Sequence, residues 1–175
     1  ALQGGVGAVA HLPDGAQVRL TYQQLIVEAT DAPADTAAYI QMKTGQVIQP
    51  QVPGTTQVNG WQIRASLQPL AGTHASLSVP AGAAVVLRTR QNGDRWQPLG
   101  LHGHSQKLKK WLIDRKIPQA VRDRIPLLCV DGAIAAVVLP DEWAIAEPYK
   151  VGSPQPNRQI VYWRSERTVR VNADE

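Results

Sequence analysis

Apolar and polar residues alternate along much of this chain, and the alternation predicts strands. Val18, Leu20 and Tyr22 are interleaved with Arg19, Thr21 and Gln23, the period of a half-buried strand. Residues 16–29 therefore read as a hairpin or a pair of strands, entered through a turn at Asp14-Gly15. Residues 31–38 form a polar, Ala-rich loop, and a strand is predicted within 40–48, around Thr44-Gly45. Pro53-Gly54 and Asn59-Gly60 mark turns. Trp61, Ile63 and Ala65 alternate with polar neighbours as a further strand, and 76–80 suits a short one. From Val85 the pattern sharpens: Val85, Leu87 and Thr89 alternate with Val86, Arg88 and Arg90, which puts Arg88 and Arg90 on one strand face. Asn92-Gly93 predicts a tight hairpin turn, with Asp94 and Arg95 opening the return strand before Trp96.

The period then changes. After Ser105, a good N-cap residue, Leu108, Trp111 and Leu112 fall at helical spacing and share an apolar face. The predicted helix covers 106–116, with Lys107 and Lys110 on one flank and Lys109 and Lys116 on the other. Ile117-Pro118 ends it, and Pro118 can open a second short helix through about Arg124, closed by Pro126. Residues 127–130 and 134–139 read as two buried strands around a turn at Asp131-Gly132. Residues 150–157 are a Gly-, Ser- and Pro-rich linker. In 159–171, Ile160 and Tyr162 alternate with Val161 and Trp163 as a last strand. No internal repeat or low-complexity tract interrupts this order.

Composition adds constraints. Of 175 residues 43% are hydrophobic, enough for a packed core, and with no Phe but five Trp the large volumes come from aliphatics, Trp and Tyr. Cys129 is the single cysteine, which excludes an intramolecular disulfide framework. No run of 18 apolar residues occurs, and the small, Gly-rich start lacks the basic stretch of a secretory signal. The net charge of +4 is concentrated: ten Lys/Arg against three Asp/Glu lie between Arg88 and Arg124. A localised excess of this kind suits a polyanion, a solvated face being the plainer reading.

Candidate chemistry is sparse. Gly4-Gly5-Val6-Gly7 has no Lys or Ser/Thr partner for cradling phosphate and reads as a flexible end. His102-Gly103-His104 offers two imidazoles with no nearby Cys or carboxylate, an incomplete metal set, so no metal is expected. Cys129 sits in an apolar run and reads as core. Trp61 and Trp111 suit the core, and Trp96 is open between core and base stacking. No nucleophile–base order or carboxylate pair forms a catalytic set. Arg88, Arg90, Arg95, Lys107, Lys109, Lys110, Lys116 and Arg122 are the candidate nucleic-acid contacts. Arg122 and Arg124 are alternatively placed to pair with Asp123 and Asp114.

The segments R-T-R-Q-N-G-D-R-W-Q-P-L-G (88–100), K-L-K-K-W-L (107–112), K-I-P (116–118), R-D-R-I-P-L-L (122–128) and D-G-A-I-A (131–135) resemble, in this order, the C-terminal domain of tRNA(Ile)-lysidine synthetases. L-P-D-G (12–15), P-G-T-T (53–56) and Gly60-Trp61 resemble the stretch leading into it, so the likeness covers roughly 11–140. After Leu139 the family's G-x-R-like element is replaced by L-P-D-E-W-A-I-A-E-P-Y-K-V.

The resemblance implies an α+β fold: a β-sandwich-like core with short helices, similar to a domain of phenylalanyl-tRNA synthetase β chains. It divides the chain into a β-rich lead-in (1–84), a tRNA-binding unit (85–140) and an extension with one added strand (141–175). The family's enzymes adenylate the wobble cytidine of the CAU anticodon of tRNA(Ile) with ATP and magnesium, then join free lysine to it. Their C-terminal domains hold the tRNA, by its acceptor stem.

The family's S-G-G-x-D-S phosphate loop is absent here, and no initiator Met begins the chain. The expectation is therefore a non-catalytic C-terminal region of a cytoplasmic enzyme. It would carry no cofactor of its own, its partners being tRNA(Ile) and a separate catalytic domain, with no membrane and an oligomeric state left open. The other reading is a module of the same fold that binds a protein or a small ligand without RNA.

Overall fold

In the computed structural model, residues 9–11, 16–20, 25–29 and 35–168 are described, the first three by backbone only. The Gly-rich start, the turn at Asp14-Gly15, Tyr22, the first half of the 31–38 loop and residues 169–171 lie outside them. The chain divides into two compact units, 1–35 and 36–175. In the first, β1 (Val9–His11), β2 (Ala16–Leu20) and β3 (Leu25–Ala29) form an antiparallel sheet in that order, the strand pair expected of 16–29 with one more strand before it.

The second unit is built on two sheets. In chain order its strands are β4 (Val47–Ile48), β5 (Gly54–Val58), β6 (Trp61–Ser66), β7 (Ala75–Pro80), β8 (Val85–Arg88), β9 (Arg95–Trp96), β10 (Gln106–Lys107), β11 (Leu127–Val130), β12 (Ala133–Val137), β13 (Ala144–Ile145) and β14 (Arg158–Arg167). Helices α1 (Leu108–Asp114) and α2 (Gln119–Arg122) lie between β10 and β11. One sheet has the order β5-β6-β14-β7, the other β13-β12-β11-β8-β4, both antiparallel throughout. Alternation in Ile63 and Ala65, Leu77 and Val79, and Val161 and Trp163 turns one face of the first sheet onto Leu87, Leu128 and Val130 of the second. The opposite face of that second sheet, with Leu127, Cys129 and Val137, takes Leu108, Trp111 and Leu112 of α1 and Val121 of α2. The β11–β12 pair is buried on both sides, which is why its sequence is a continuous apolar run rather than an alternating one. The fold is the expected α+β: mostly β-sheet with two short helices.

Several local expectations change. Thr44-Gly45 is a turn, with only Val47 and Ile48 in a strand after it. Asn92-Gly93 does turn the chain, closed by Asp94 N–H on Gln91 O (3.2 Å), yet it does not join a hairpin. β8 pairs with β11 and β4, while β9 pairs with β10. The first helix starts at Leu108, not after Ser105, and no side chain caps it. β14 is an interior strand, held by β6 on one side and β7 on the other. Sheets therefore cross the sequence boundaries at 84 and 140: β4 lies in the sheet of β8, β11 and β12, and β14 in that of β5 to β7.

Candidate nucleic-acid interface

The ribbon of β9 and β10 sets two cations face to face. Its register sets Lys107 directly opposite Arg95, and Gln106 opposite Trp96. Like charges facing each other across an antiparallel pair repel, and neither side chain has an acidic partner among the described residues. Trp96 anchors the ribbon: it is 3% exposed and meets Trp111 of α1 edge to face, centroids 4.9 Å apart. Arg95 is held in place by Ser105, whose hydroxyl accepts from Nε (3.2 Å) and Nη2 (3.1 Å). Nη1 has no partner among the described residues, which leaves one edge of the guanidinium free to donate.

Asp94 fixes the base of this ribbon. Its carboxylate accepts from both terminal nitrogens of Arg88 (2.9 and 3.0 Å) and from the Gln91 N–H (2.8 Å). Its carbonyl accepts from the Leu108 N–H (2.9 Å), tying the turn to the start of α1. Burial acts to raise the Asp94 carboxyl, but Arg88 and the Gln91 N–H outweigh it and hold the group below the usual carboxylate range. The same bond to Asp94 raises the Arg88 guanidinium against the effect of burial.

The predicted contacts thus separate. Arg88 is a structural group: only 14% of its side chain is exposed and Asp94 occupies its fork. Arg90 does not stand free beside it, being paired with Asp123 of the loop after α2. Arg122 donates to Ile117 O (2.7 Å), pinning α2 to the end of α1. The pairing expected of Arg122 and Arg124 with Asp123 and Asp114 is not formed. Arg90 takes Asp123, Lys110 takes Asp114 at 2.6 Å, and Arg124 is exposed. Lys107, Lys109, Lys110 and Lys116 are exposed, Lys116 with a left-handed backbone at φ 55° where α1 ends. Arg115 lies over the Trp111 ring at 4.9 Å. Structure therefore brings Arg95 and Lys107 together, keeps Lys109 and Lys110 on the adjoining helix with Lys116 just past its end, and withdraws Arg88, Arg90 and Arg122.

Sequence reasoning missed two organising residues, Asp94 and Ser105. The first had a legible signal, a carboxylate between Arg88 and Arg95 inside a turn. Ser105 had none, because a serine before a helix reads as its cap. Trp61 is half-buried beneath Arg167 rather than fully in the core. Cys129 is fully buried, and burial pushes its thiol up although nearby Arg88 pulls the other way. His102 and His104 are exposed in the loop between β9 and β10, and no cluster of three metal-ligating side chains occurs among the described residues. No helix among them is long and apolar enough to cross a membrane.

Fold and surface define an α+β domain of two packed sheets that presents a cationic ribbon and helix on one side. Residues 85–144, the stretch containing that ribbon and helix, match the family model described as TilS substrate C-terminal domain. Over 67 residues (38% of this chain) the sequence is 42% identical to tRNA(Ile)-lysidine synthase of Caldanaerobacter subterraneus subsp. tengcongensis, and over 79 residues (45%) it is 37% identical to that of Methylococcus capsulatus. These matches span 14% and 17% of the relatives' own lengths. A crystal structure of a TilS C-terminal domain superposes with a TM-score of 0.54 at 21% identity, over 71% of this chain and 98% of that one, a likeness of fold. The stretch 85–144 is thus similar to a TilS C-terminal domain, the likeness its motifs implied.

Proposed function

We propose that this chain is the tRNA-gripping C-terminal region of a tRNA(Ile)-lysidine synthase, the ligase that joins lysine to the wobble cytidine of the CAU anticodon of tRNA(Ile). In this reading it performs no chemistry itself. ATP, magnesium and lysine belong to a catalytic domain of the parent enzyme, and the setting is cytoplasmic. The observation that carries the reading is the opposed pair Arg95 and Lys107, lacking acidic partners among the described residues and lying within the family-matched stretch. A protein interior or plain surface gains nothing from two facing cations, whereas the phosphates of a nucleic acid relieve their repulsion. Arg95 offers the free edge of a guanidinium already oriented by Ser105, and Lys107 adds a mobile point charge.

Lys109 on α1 and Lys116 just past its end extend the same positive field. Lys110 can join them by exchanging Asp114 for a phosphate, since an exposed i,i+4 pair contributes only about 0.3–0.5 kcal/mol. Such contacts suit a duplex stem, whose phosphates recur at regular spacing and whose shallow minor groove is read by shape. The acceptor stem is the part of tRNA(Ile) the resemblance assigns to them. The test is the affinity of the chain for a tRNA(Ile) transcript with a CAU anticodon, measured by filter binding. Arg95→Gln with Lys107→Gln is expected to weaken it roughly tenfold, the loss of two charge-assisted phosphate contacts. Undiminished affinity in the double variant contradicts the proposal, as does a preference for some other ligand with no binding of the transcript.

A further inference from the structure

Beside the ribbon lies a cleft of about 290 Å³, with Arg95, Ser105, Gln97, Ala133, Pro148 and Tyr149 among its walls. We infer that this cleft takes one unstacked RNA base, whose phosphate rests on Arg95 and Lys107. The inference rests on the reading of the chain as an RNA-gripping domain and names what part of the RNA this site reads.

Three features of the cleft point to a nucleotide. Its size stands at the small end for ligand clefts, which begin at about 300 Å³, and so suits a single base rather than a longer segment. Its walls supply a ring and apolar surface at a fixed position. Tyr149 is half-buried, its hydroxyl donates to Val130 O (3.3 Å), and Pro148 precedes it on an exposed turn. An aromatic side chain lining such a cleft can stack on any base. Polar groups sit where an edge and a phosphate need them. The Gln97 backbone carbonyl is taken by the Glu147 N–H (2.7 Å), but its carboxamide has no partner among the described residues. It offers a donor and an acceptor to a base edge. The fork of Arg95 is turned by Ser105, and Arg95 lines the cleft itself. A duplex alone satisfies the cations but leaves the cleft open, because its bases are stacked inside.

The experiment uses the 175-residue chain and two RNAs, a short hairpin with an unpaired 3′ tail and the same hairpin cut blunt. The wild-type chain is expected to bind the tailed RNA more tightly, by about fivefold or more, the usual effect of one stacked base. Ala133→Phe fills the cleft from an exposed strand position and leaves Arg95 and Lys107 themselves unsubstituted. It should abolish the preference while the blunt hairpin is bound as before. Gln97→Ala should reduce the preference in part, and a thermal melt of each variant reports whether the fold is kept. Equal affinity of the wild-type chain for the two RNAs overturns the inference and leaves the tRNA reading standing, as does a preference that survives Ala133→Phe in a folded variant. Failure to bind either RNA overturns both.

Discussion

Asp94→Ala is the substitution that should damage this domain most for the smallest change in volume. The carboxylate it removes accepts three hydrogen bonds, two of them from Arg88, and the side chains of the pair are only 14% and 12% exposed. The loss has two parts: the bonds themselves, and the guanidinium of Arg88 left beside the core with no counter-charge. One-sided removal of a buried pair costs about 3–5 kcal/mol. The slight exposure of this pair lets water compensate a little, so about 2–3 kcal/mol is expected here. A domain of this size shifts by roughly 3–4 °C per kcal/mol, which places the melting temperature about 6–12 °C lower.

The same variant tests the pH dependence. The folded-state carboxyl of Asp94 lies below its ordinary value, so its stabilising contribution is present above the unfolded value of about 3.9 and disappears as pH falls through the folded one. Wild-type protein should lose more stability than Asp94→Ala on acidification below about pH 4. Replacing both partners, Arg88→Met with Asp94→Leu, should recover most of the loss at neutral pH. Urea melts of the two variants beside wild type measure all of this. A loss under about 0.5 kcal/mol in Asp94→Ala, the range of an ordinary surface change, refutes the argument.

Three further outcomes follow from the same geometry. Lys107→Gln relieves the repulsion with Arg95, so it should raise stability by a few tenths of a kcal/mol, up to about 1, while weakening RNA binding; paired melting and binding measurements check the opposite signs. Leu128→Ala, at a fully buried position between the two sheets, should cost about 2–5 kcal/mol by the cavity it leaves, read from the shift in urea midpoint. Cys129 should react with a thiol reagent only upon unfolding, because it is buried and its thiol is pushed up; rapid labelling of native protein contradicts its placement in the core.

What the sequence made legible follows its periodicities. Trp61, Ile63 and Ala65 alternate because one sheet face is buried and the other is open. The apolar run of Leu127 to Val130 reflects burial on both sides. The helix at Leu108, Trp111 and Leu112 was visible from its single buried stripe. Pairing was not legible. Asn92-Gly93 carries a true turn signal, but local chemistry cannot say which strands meet. Burial of Val85 and Leu87 favours β11, some forty residues away, over the polar residues just past the turn. The ribbon was hidden for the same reason, since Arg95 and Lys107 face each other only because the intervening loop returns the chain. Arg88 and Arg90 looked equivalent to Arg95 by residue type, and only their proximity to Asp94 and Asp123 separates them.

The claim that the facing cations of the ribbon grip phosphates is tested most directly by the salt dependence of tRNA(Ile) binding. Each phosphate released from counterions adds about 0.7–0.9 to the slope of log affinity against log salt. The Arg95→Gln, Lys107→Gln chain should therefore show a slope shallower than wild type by roughly 1.5. Parallel lines for the two proteins, whatever their absolute affinities, contradict it.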